Sequence, residues 1–349
     1  MKEKILSSLT GVWAFRVLIL LIVCVFMGIS EPRFLTIGNI VNIISYISVY
    51  GIMACGMLFA VLIGGLDLSI GRVAALSGTI ACIVARVGGF SATWCLIGIA
   101  CAIVAGILIG YFHGFLIVKL AIPSFVVTLA TSYVIYGAIT LLSGGSRVDF
   151  VRGSLMDTIS NARIVEFTLS SGKPFVIQMN VVIFIVFAVI CWYVLSKTTF
   201  GRRIYAIGGN TTAAQFVGIN VFRNSCAAYA ISSGAACIGG LILMSSTSYA
   251  AQTLGAGYEG MVLMALIVGG INLAGGKGTI SGAIFGALLV GIIANICTLV
   301  DFLNLEYLKF FQGLIILIVC IISVILETRS RRGKGRKAKQ IAEMQAQDE

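Results

Sequence analysis

The stretch 64-GGLDLSIGR-72 places a Gly-Gly pair, an acid and a base inside an almost uniformly apolar chain. A run of apolar residues precedes it and another follows it, each apolar enough for a membrane helix. Gly64 and Gly65 allow the backbone to leave a helix. Asp67 can then accept hydrogen bonds from the N–H groups that open the next helix, as an N-cap residue does. The stretch, which also contains Ser69, therefore predicts a broken helix.

The composition of the whole chain requires lipid as its solvent. Of the 349 residues, 59% are hydrophobic and only 11% are charged. A soluble domain carries about a quarter charged residues, so this chain cannot cover a globule with polar surface. All ten cysteines lie in apolar stretches without the spacing of a metal site, and we expect neither a metal site nor a disulfide framework. The prediction is an all-α polytopic membrane protein.

Apolar runs long enough to cross a bilayer occur about ten times along the chain. The first lacks the small-residue cleavage pattern of a signal peptide, so we interpret it as an uncleaved span. The runs predict a single transmembrane domain, 1–326, which includes one long outer loop and one long inner loop and is followed by a basic tail. The predicted spans are 12–29, 43–63, 73–86, 92–118, 123–142, 175–196, 224–245, 258–274, 279–300 and 307–326, the loops are 143–174 and 197–223, and the tail is 327–349.

The distribution of basic residues predicts that both termini are cytoplasmic. The chain has a formal net charge of +11. If both ends lie inside, the inner segments hold most of the Lys and Arg, including Arg72 and Lys277, while acids balance the bases on the outer segments. The tail "RSRRGKGRKAK" follows the last span directly, so we expect it to face anionic membrane lipid and not nucleic acid.

The opening stretch has a second copy, 269-GGINLAGGK-277. Paired Gly-interrupted segments in two halves of a membrane protein point to a transport pathway in repeat-built transporters. We therefore interpret the two copies as a duplicated break that lines or gates a pathway, with two ordinary tight inner turns as the alternative. The corresponding residues are Gly64 and Gly269, Gly65 and Gly270, Asp67 and Asn272, and Arg72 and Lys277.

Side chains for catalysis or ion coupling are scarce. The single histidine, His113, has no carboxylate near it in sequence, and neither a GxSxG nor an HExxH pattern occurs. Acids are almost missing from the predicted spans, whereas ion-coupled carriers depend on them. We expect no catalytic residue, no metal and no cofactor in this chain.

The inner loop contains "TTAAQFVGINV", a pattern typical of a short amphipathic helix. Asn210 before it is a candidate N-cap, and Gly218 can end the helix or let a second backbone approach. A helix this short is not stable alone in water, so we expect it to dock on a partner. The residues that it offers to a partner groove are Ala213, Ala214, Phe216 and Val217.

These residues resemble a known family. "TAAQFVG", Thr212–Gly218, is similar to the E-A-A-x-x-x-G loop by which permeases of ABC importers engage their ATP-binding subunits, with Thr212 in place of Glu. Together with "KTTFGRRIYAIGGN", "GGLDLSIGRVAALSG" and "AIPSFVVTLAT", it resembles the monosaccharide permeases of bacterial ABC uptake systems, the ribose, galactose, xylose and arabinose type, over roughly residues 40–326. The chain departs from that pattern at Thr212, where a salt bridge to the ATPase is lost, and at His113, where the family suggests Asn.

The resemblance implies an assembly in the bacterial inner membrane. It implies a second permease copy (identical or not), an ATP-binding-cassette ATPase that uses ATP and Mg²⁺, and a periplasmic sugar-binding protein that docks on outer loops including 143–174. ATP-driven closure would push on the inner loop and switch access to a central pathway. The residues implied in ATPase coupling are Asn210, Thr212, Ala213, Ala214, Phe216, Val217 and Gly218.

A pathway of this kind needs only a weakly polar lining. Thr128 and Thr131 lie three residues apart in a predicted helix that starts at Pro123, so they share one face. Hydroxyls that bond back to their own helix are the alternative for each of them. The predicted lining or gating residues are Gly64, Gly65, Asp67, Ser69, Thr128, Thr131, Tyr133, Tyr136, Gly269, Gly270 and Asn272.

Three alternatives remain at this stage. The same architecture serves branched-chain amino acids or nucleosides. An ion-coupled secondary carrier or channel would transport without an ATPase. A membrane scaffold is the third alternative, under which the duplicated break and the amphipathic loop would have no functional explanation.

Overall fold

The computed structural model describes residues 17–18, 20–168 and 174–300, together with residues 307, 309, 310, 313, 314 and 317. The predicted span 307–326 lies mostly outside the described residues, as does the start of span 12–29, and the tail 327–349 lies wholly outside them. Within the described part the chain is mainly helical with little sheet, as predicted for an all-α membrane protein.

The helices follow one another with few intervening residues, and four short strands lie between them. The helices are α1 Leu20–Ser30, α2 Ile37–Leu62, α3 Ile70–Val87, α4 Ala92–Lys119, α5 Ser124–Ser143, α6 Leu155–Asn161, α7 Met179–Lys197, α8 Thr199–Gly209, α9 Thr211–Phe216, α10 Val221–Thr247, α11 Tyr258–Val268 and α12 Ile280–Leu299. The strands are β1 Val148–Asp149, β2 Arg163–Thr168, β3 Pro174–Gln178 and β4 Tyr249–Ala250.

Seven of the described helices are long and apolar enough to cross a membrane: α2, α3, α4, α5, α7, α10 and α12. They match seven of the predicted spans. Within the described residues no membrane-length helix occupies the predicted span 258–274, because α11 has only 11 residues and Val268 is its last. Span 175–196 was placed too early, since 174–178 pair as strand β3 and the helix begins at Met179.

Small residues let α4 and α10 approach closely. Gly106, Gly110 and Gly114 recur every fourth position along α4, which puts them on one face. A Cβ on Gly110 would overlap the backbone of Tyr229, and one on Gly114 would overlap the backbone of Cys226. Close backbone approach through such small-residue stripes replaces the hydrophobic driving force that is missing between helices in lipid.

Helix α2 lies at the centre of the bundle, and its residues from Ile47 to Leu62 are buried. It packs against α10, α12, α7 and α11. Near its start, Asn39 Nδ2 donates to Asn295 Oδ1 of α12 (3.0 Å) and Asn295 Nδ2 donates to Asn39 Oδ1 (2.7 Å). Both amides are buried, so this reciprocal pair satisfies groups that would otherwise be costly in an apolar interior.

The bundle has two ends that differ in structure. Helices α8 and α9 lie at one, which we name the α9 end. At the other, the hairpin end, the predicted loop 143–174 folds as α6 and strand β2, which pairs antiparallel with β3. Strand β1 pairs with β4 beyond the end of α10, and Ser245 of α10 donates to the carbonyl of Asp157 in α6 (2.9 Å).

Candidate functional site

The first predicted break exists. Helix α2 ends at Leu62 and α3 begins at Ile70. Gly64 adopts φ +84°, its N–H donates to Val61 O (2.9 Å), and the N–H of Gly65 donates to Ala60 O (3.0 Å). These two bonds and the left-handed glycine form a Schellman motif, which satisfies carbonyls that a helix end leaves open. A Cβ on Gly65 would overlap the Tyr229 hydroxyl, so the second glycine serves close packing.

The second break uses the same motif, shifted by one residue. Gly270 adopts φ +75°, its N–H donates to Ile267 O (2.8 Å), and the N–H of Ile271 donates to Leu266 O (3.0 Å). Gly270, and not Gly269, is therefore the structural counterpart of Gly64. Gly269 instead packs against the backbone of Gly282, where a Cβ would overlap a carbonyl oxygen. The two glycines of each pair have exchanged roles between the copies.

Asp67 is fully buried and is surrounded by donors. Its Oδ1 accepts from the N–H (3.1 Å) and the Oγ–H (2.6 Å) of Ser69, and its Oδ2 accepts from the hydroxyls of Ser232 (2.8 Å) and Ser233 (3.3 Å) of α10. Four neutral donors on two oxygens compensate for the loss of water around an acceptor-only carboxylate. Asp67 thus ties the first break to α10.

The predicted N-cap role of the two polar residues is wrong. Asp67 and Asn272 each accept from a backbone N–H two residues onward, Ser69 N and Ala274 N, respectively (3.1 Å each). A side-chain oxygen that accepts from the N–H two residues onward forms an Asx-turn, which is an alternative to an N-cap. The N-cap residues are Ser69 for α3 and Thr279 for α12. The two copies also differ in environment, because Asn272 is exposed whereas Asp67 is buried.

The first break lies deeper in the bundle than predicted, because the sequence placed it as a turn at the inner face. Ser232, the partner of Asp67, is the twelfth residue of the 27-residue α10, so Asp67 lies near the middle of that helix. Arg72 lies still farther from the α9 end. Its Nη1 donates to Gln252 O beyond the hairpin end of α10 (2.8 Å), and its guanidinium carbon stands 4.9 Å from the ring centroid of Tyr136. Arg72 is therefore not an inner-face anchor like Lys277.

Helix α5 supplies acceptors to the first break. Ser124 Oγ accepts from Leu66 N and Thr128 Oγ1 accepts from Leu68 N (3.1 Å each). Thr128, predicted as pathway lining, is fully buried and holds the break. The sequence reasoning missed Ser124, although it lies four residues before Thr128, and hence on the same face of α5.

The other predicted lining residues of α5 lie apart from these contacts. Thr131 is half-buried and its hydroxyl donates to Val127 O of its own helix (2.8 Å). Tyr133 and Tyr136 are exposed on the surface of the described chain, by 71% and 38%. The hydroxyls of Thr128 and Thr131 both bond back along their own helix, which is the alternative predicted for each of them.

The inner loop folds as two short helices. Asn210 is the N-cap of α9, and its Oδ1 accepts from Ala213 N (2.9 Å). Helix α9 ends at Phe216, and Gly218 follows with φ +80° in a third Schellman turn. No atom of the described residues lies within 4 Å of the position of a Cβ on Gly218, so within that part of the chain this glycine ends the helix and does not serve close approach.

The residues of α9 divide between inside and outside. Ala214 is buried, which corrects the prediction that it faces a partner groove. The tip of α9 is apolar and bare, with Phe216 87% and Val217 75% exposed. Thr212 and Ala213 are exposed beside it.

The two breaks and α8 meet at one junction, formed by Leu62, Gly208 and Gly276. The N–H of Gly276 donates to Leu62 O (2.9 Å). A Cβ on Gly208 would overlap that same carbonyl oxygen and would lie 2.6 Å from Gly276 N. Nearby, the Tyr205 hydroxyl of α8 donates to Gly278 O (2.7 Å). Burial raises the pKa of Tyr205, so this donor keeps its proton at neutral pH.

No group of three or more His, Cys, Asp or Glu in the described part is placed to hold a metal ion. His113 is fully buried beside Tyr229, with ring centroids 6.4 Å apart and the rings edge to face. Neither ring nitrogen has a hydrogen-bond partner among the described residues. In the described part, α8 and α9 thus connect a bare apolar tip to the two helix interruptions.

Comparisons with known proteins find relatives among transport permeases. A family model described as "Branched-chain amino acid transport system / permease component" matches residues 39–320. The chain is 35% identical to the ribose import permease protein RbsC of Haemophilus influenzae, over 90% of this chain and 94% of that protein.

Two further relatives are more distant. The L-arabinose transport system permease protein AraH of Escherichia coli is 32% identical over 81% of each chain. The fructose import permease protein FrcC of Rhizobium meliloti is 28% identical over 80% of this chain and 76% of that protein. No solved structure matches the chain significantly.

Proposed function

The chain belongs to the family of permease components described for branched-chain amino acid transport systems, and on this basis we propose that it is the transmembrane subunit of an ATP-binding-cassette importer for a monosaccharide. It is a multi-pass protein of the bacterial inner membrane. The relatives that it matches over most of their length are named for ribose, arabinose and fructose, and this supports a sugar as the solute.

One structural observation carries the coupling to an ATPase. Helix α9 presents Phe216 and Val217 bare at its tip. Exposed apolar side chains on a short capped helix are the anchors that a partner groove buries. Helix α8 leads directly from α9 to the junction of both breaks. A displacement of α9 is therefore transmitted through α8 and the contact of Gly208 with Gly276 to the interrupted helices.

The proposed assembly follows from the difference between the α9 end and the hairpin end of the bundle. We place the α9 end in the cytoplasm against the ATPase, which binds ATP and Mg²⁺ and does the chemistry, while this chain has no catalytic role. The hairpin end then faces the periplasm and receives a sugar-binding protein on the region 143–174. A second permease copy completes the pathway. The full topology has ten spans with both termini in the cytoplasm.

The mechanism proposed is an alternation of access. Closure of the ATPase subunits on ATP moves α9 and α8, and the contact of Gly208 with Leu62 and Gly276 transmits this displacement to both breaks. Asp67, held by α10 and by Ser69, keeps the first break attached to the bundle while it moves. Sugar enters from the hairpin end and leaves at the α9 end.

Co-purification from native membranes, followed by reconstitution, tests this function. We expect an ATP-binding-cassette subunit to accompany the chain, and radiolabelled ribose, arabinose or fructose to enter proteoliposomes only with ATP and the binding protein. Uptake by this chain alone along an ion gradient would indicate a secondary carrier. The description of the family model favours a second candidate solute, a branched-chain amino acid, and ATP-dependent uptake of leucine in place of sugars would establish it.

A further inference from the structure

We propose that this permease carries its own subsite for a neutral, polyhydroxylated solute, in a polar cavity at the hairpin end formed within one copy of the chain. The inference rests on the proposed function and deepens it. The cavity has a volume of about 520 Å³. A water molecule takes about 30 Å³ of liquid volume, and drug-sized ligand pockets begin near 300 Å³, so the space suits a small organic molecule.

The position of the cavity matches the point where a solute would arrive. Five elements converge on it at the hairpin end: the first half of α2, the end of α6, the β3–α7 connection, the end of α10 and the start of α11. Helix α10 runs from the α9 end to this end, so the cavity lies on the side opposite the bare tip of α9. A solute that leaves a docked binding protein would meet this opening first.

The lining is polar but uncharged. None of the residues that line the cavity has a charged side chain; the polar ones supply hydroxyls and amides, and Val49 and Ile242 are among the apolar ones. Hydroxyl and amide groups both donate and accept, as a sugar hydroxyl does. An amino-acid zwitterion presents an ammonium and a carboxylate, whose burial is costly without opposite charges. The chemistry therefore favours a sugar over a branched-chain amino acid.

One group in the lining is left without a partner. Asn180 is 2% exposed, and its Nδ2 donates to Ser45 Oγ (2.8 Å), which in turn donates to Gln178 Oε1 (2.8 Å). The Oδ1 of Asn180 is buried and accepts no hydrogen bond from any described residue. A buried carbonyl oxygen without a donor costs free energy that a hydroxyl of a bound solute would recover. Ser45 and Gln178 hold the amide in place for that contact.

Aromatic side chains complete one wall. The rings of Tyr50 and Tyr258 lie in contact, with centroids 5.0 Å apart, and both line the cavity. An aromatic ring with a hydroxyl offers an apolar face and a polar tip, which suits a molecule with C–H faces and a rim of hydroxyls. A separate apolar groove between α2, α4, α7 and α10 lacks this mixture and is lined by residues such as Phe59, Ile103 and Ile190.

The test uses the permease with its ATPase in lipid nanodiscs, without binding protein, and measures solute contact by saturation-transfer NMR. The probes are D-ribose, L-arabinose and D-fructose, with L-leucine as the zwitterionic comparison. We expect saturation transfer to at least one sugar and none to leucine. Asn180→Leu and Ser45→Ala should weaken sugar binding by about tenfold, the effect of losing a hydrogen-bonded polar anchor.

Ser48→Ala is the matched control, because Ser48 lies one turn from Ser45 on α2 and its hydroxyl donates to Ile44 O of its own helix (2.9 Å). It should leave binding unchanged. Co-purification of the ATPase reports folding, and Tyr258→Phe, which removes a single hydroxyl, replaces any variant that does not assemble.

Three results would overturn the subsite: no contact with any sugar, equal contact with leucine, or sugar contact that the cavity variants do not reduce. ATP-driven uptake by the wild-type assembly with binding protein is measured alongside. Sugar uptake without cavity binding refutes only the subsite, whereas uptake of leucine in place of sugars refutes the proposed function.

Discussion

The N–H of Gly276 donates a 2.9 Å hydrogen bond to the carbonyl oxygen of Leu62. Leu62 is the last residue of α2, so its carbonyl is one of those that a helix end leaves without an internal partner. A residue of the second break therefore supplies the hydrogen-bond donor that the last carbonyl of α2 lacks at the first break. This bond connects the two regions of the repeated sequence, although Leu62 and Gly276 lie more than 200 positions apart along the chain.

Gly208→Ala should impair transport without preventing assembly. The new Cβ would overlap the Leu62 carbonyl and crowd Gly276 N. Overpacking of this kind costs ~1–3 kcal/mol, and we expect ATP-driven uptake to fall by roughly tenfold or more. Gly209→Ala is the control, since no described atom lies within 4 Å of its Cβ position. Equal uptake by the two variants would show that the junction does not transmit motion.

Asp67→Ala should lower stability far more than Asn272→Ala. Removing the Asp67 carboxylate leaves the hydroxyls of Ser232 and Ser233 buried without their acceptor. A loss of about 3 kcal/mol is expected, against less than about 1 kcal/mol for the exposed Asn272. Apparent melting temperatures of the purified protein measure the difference. Similar melting temperatures for both variants would contradict the conclusion that Asp67 ties the first break to α10.

Phe216→Ser should weaken the hold on the ATPase. Truncating a bare aromatic anchor at an interface costs about 2 kcal/mol or more, roughly thirtyfold in Kd. Quantitative pull-down of the ATPase subunit measures this loss. Leu120→Ser, at the same end of the bundle but outside α9 and also exposed, should retain binding. If Leu120→Ser loses the ATPase and Phe216→Ser keeps it, the docking element lies elsewhere.

Asn39 and Asn295 should behave as a coupled pair. Asn295→Leu alone leaves the buried Asn39 Oδ1 without its donor, which costs about 2 kcal/mol, while Asn39 Nδ2 keeps its bond to Phe34 O. The double variant Asn39→Leu with Asn295→Leu removes both polar groups, so it should be less destabilised than the sum of the two single variants. Thermal unfolding of the four proteins supplies the cycle. Additive losses would mean that the two amides do not stabilise each other.

The sequence predicted local features well. The Gly-Gly pairs marked the ends of α2 and α11 to within two residues, because a left-handed turn favours glycine. Asn210 was recognisable as an N-cap from its position alone. Seven apolar runs were long enough to be identified as membrane helices by length and composition, and the structure has helices there.

Features that depend on distant contacts were beyond that reasoning. Hydropathy does not report depth, so Arg72 was assigned to the cytoplasmic face, whereas Gln252 and Tyr136 hold it beyond mid-bundle. Alignment of the two repeats by residue type hid the one-residue shift between Gly64 and Gly270, which only the hydrogen bonds reveal. Val268 ends α11 early although the apolar run continues across Gly269, because the backbone turns at the Gly pair.

Asp67 also determines where this protein can bend. Two of its donors belong to Ser69 and two belong to α10, so separating the break from α10 would leave a carboxylate in an apolar interior, at a cost of several kcal/mol. The first break and α10 therefore travel as one rigid body. At Gly208 and Gly276 the nearest contacts are between uncharged backbone atoms. We therefore expect the molecule to bend at this junction, while Asp67 holds the first break to α10.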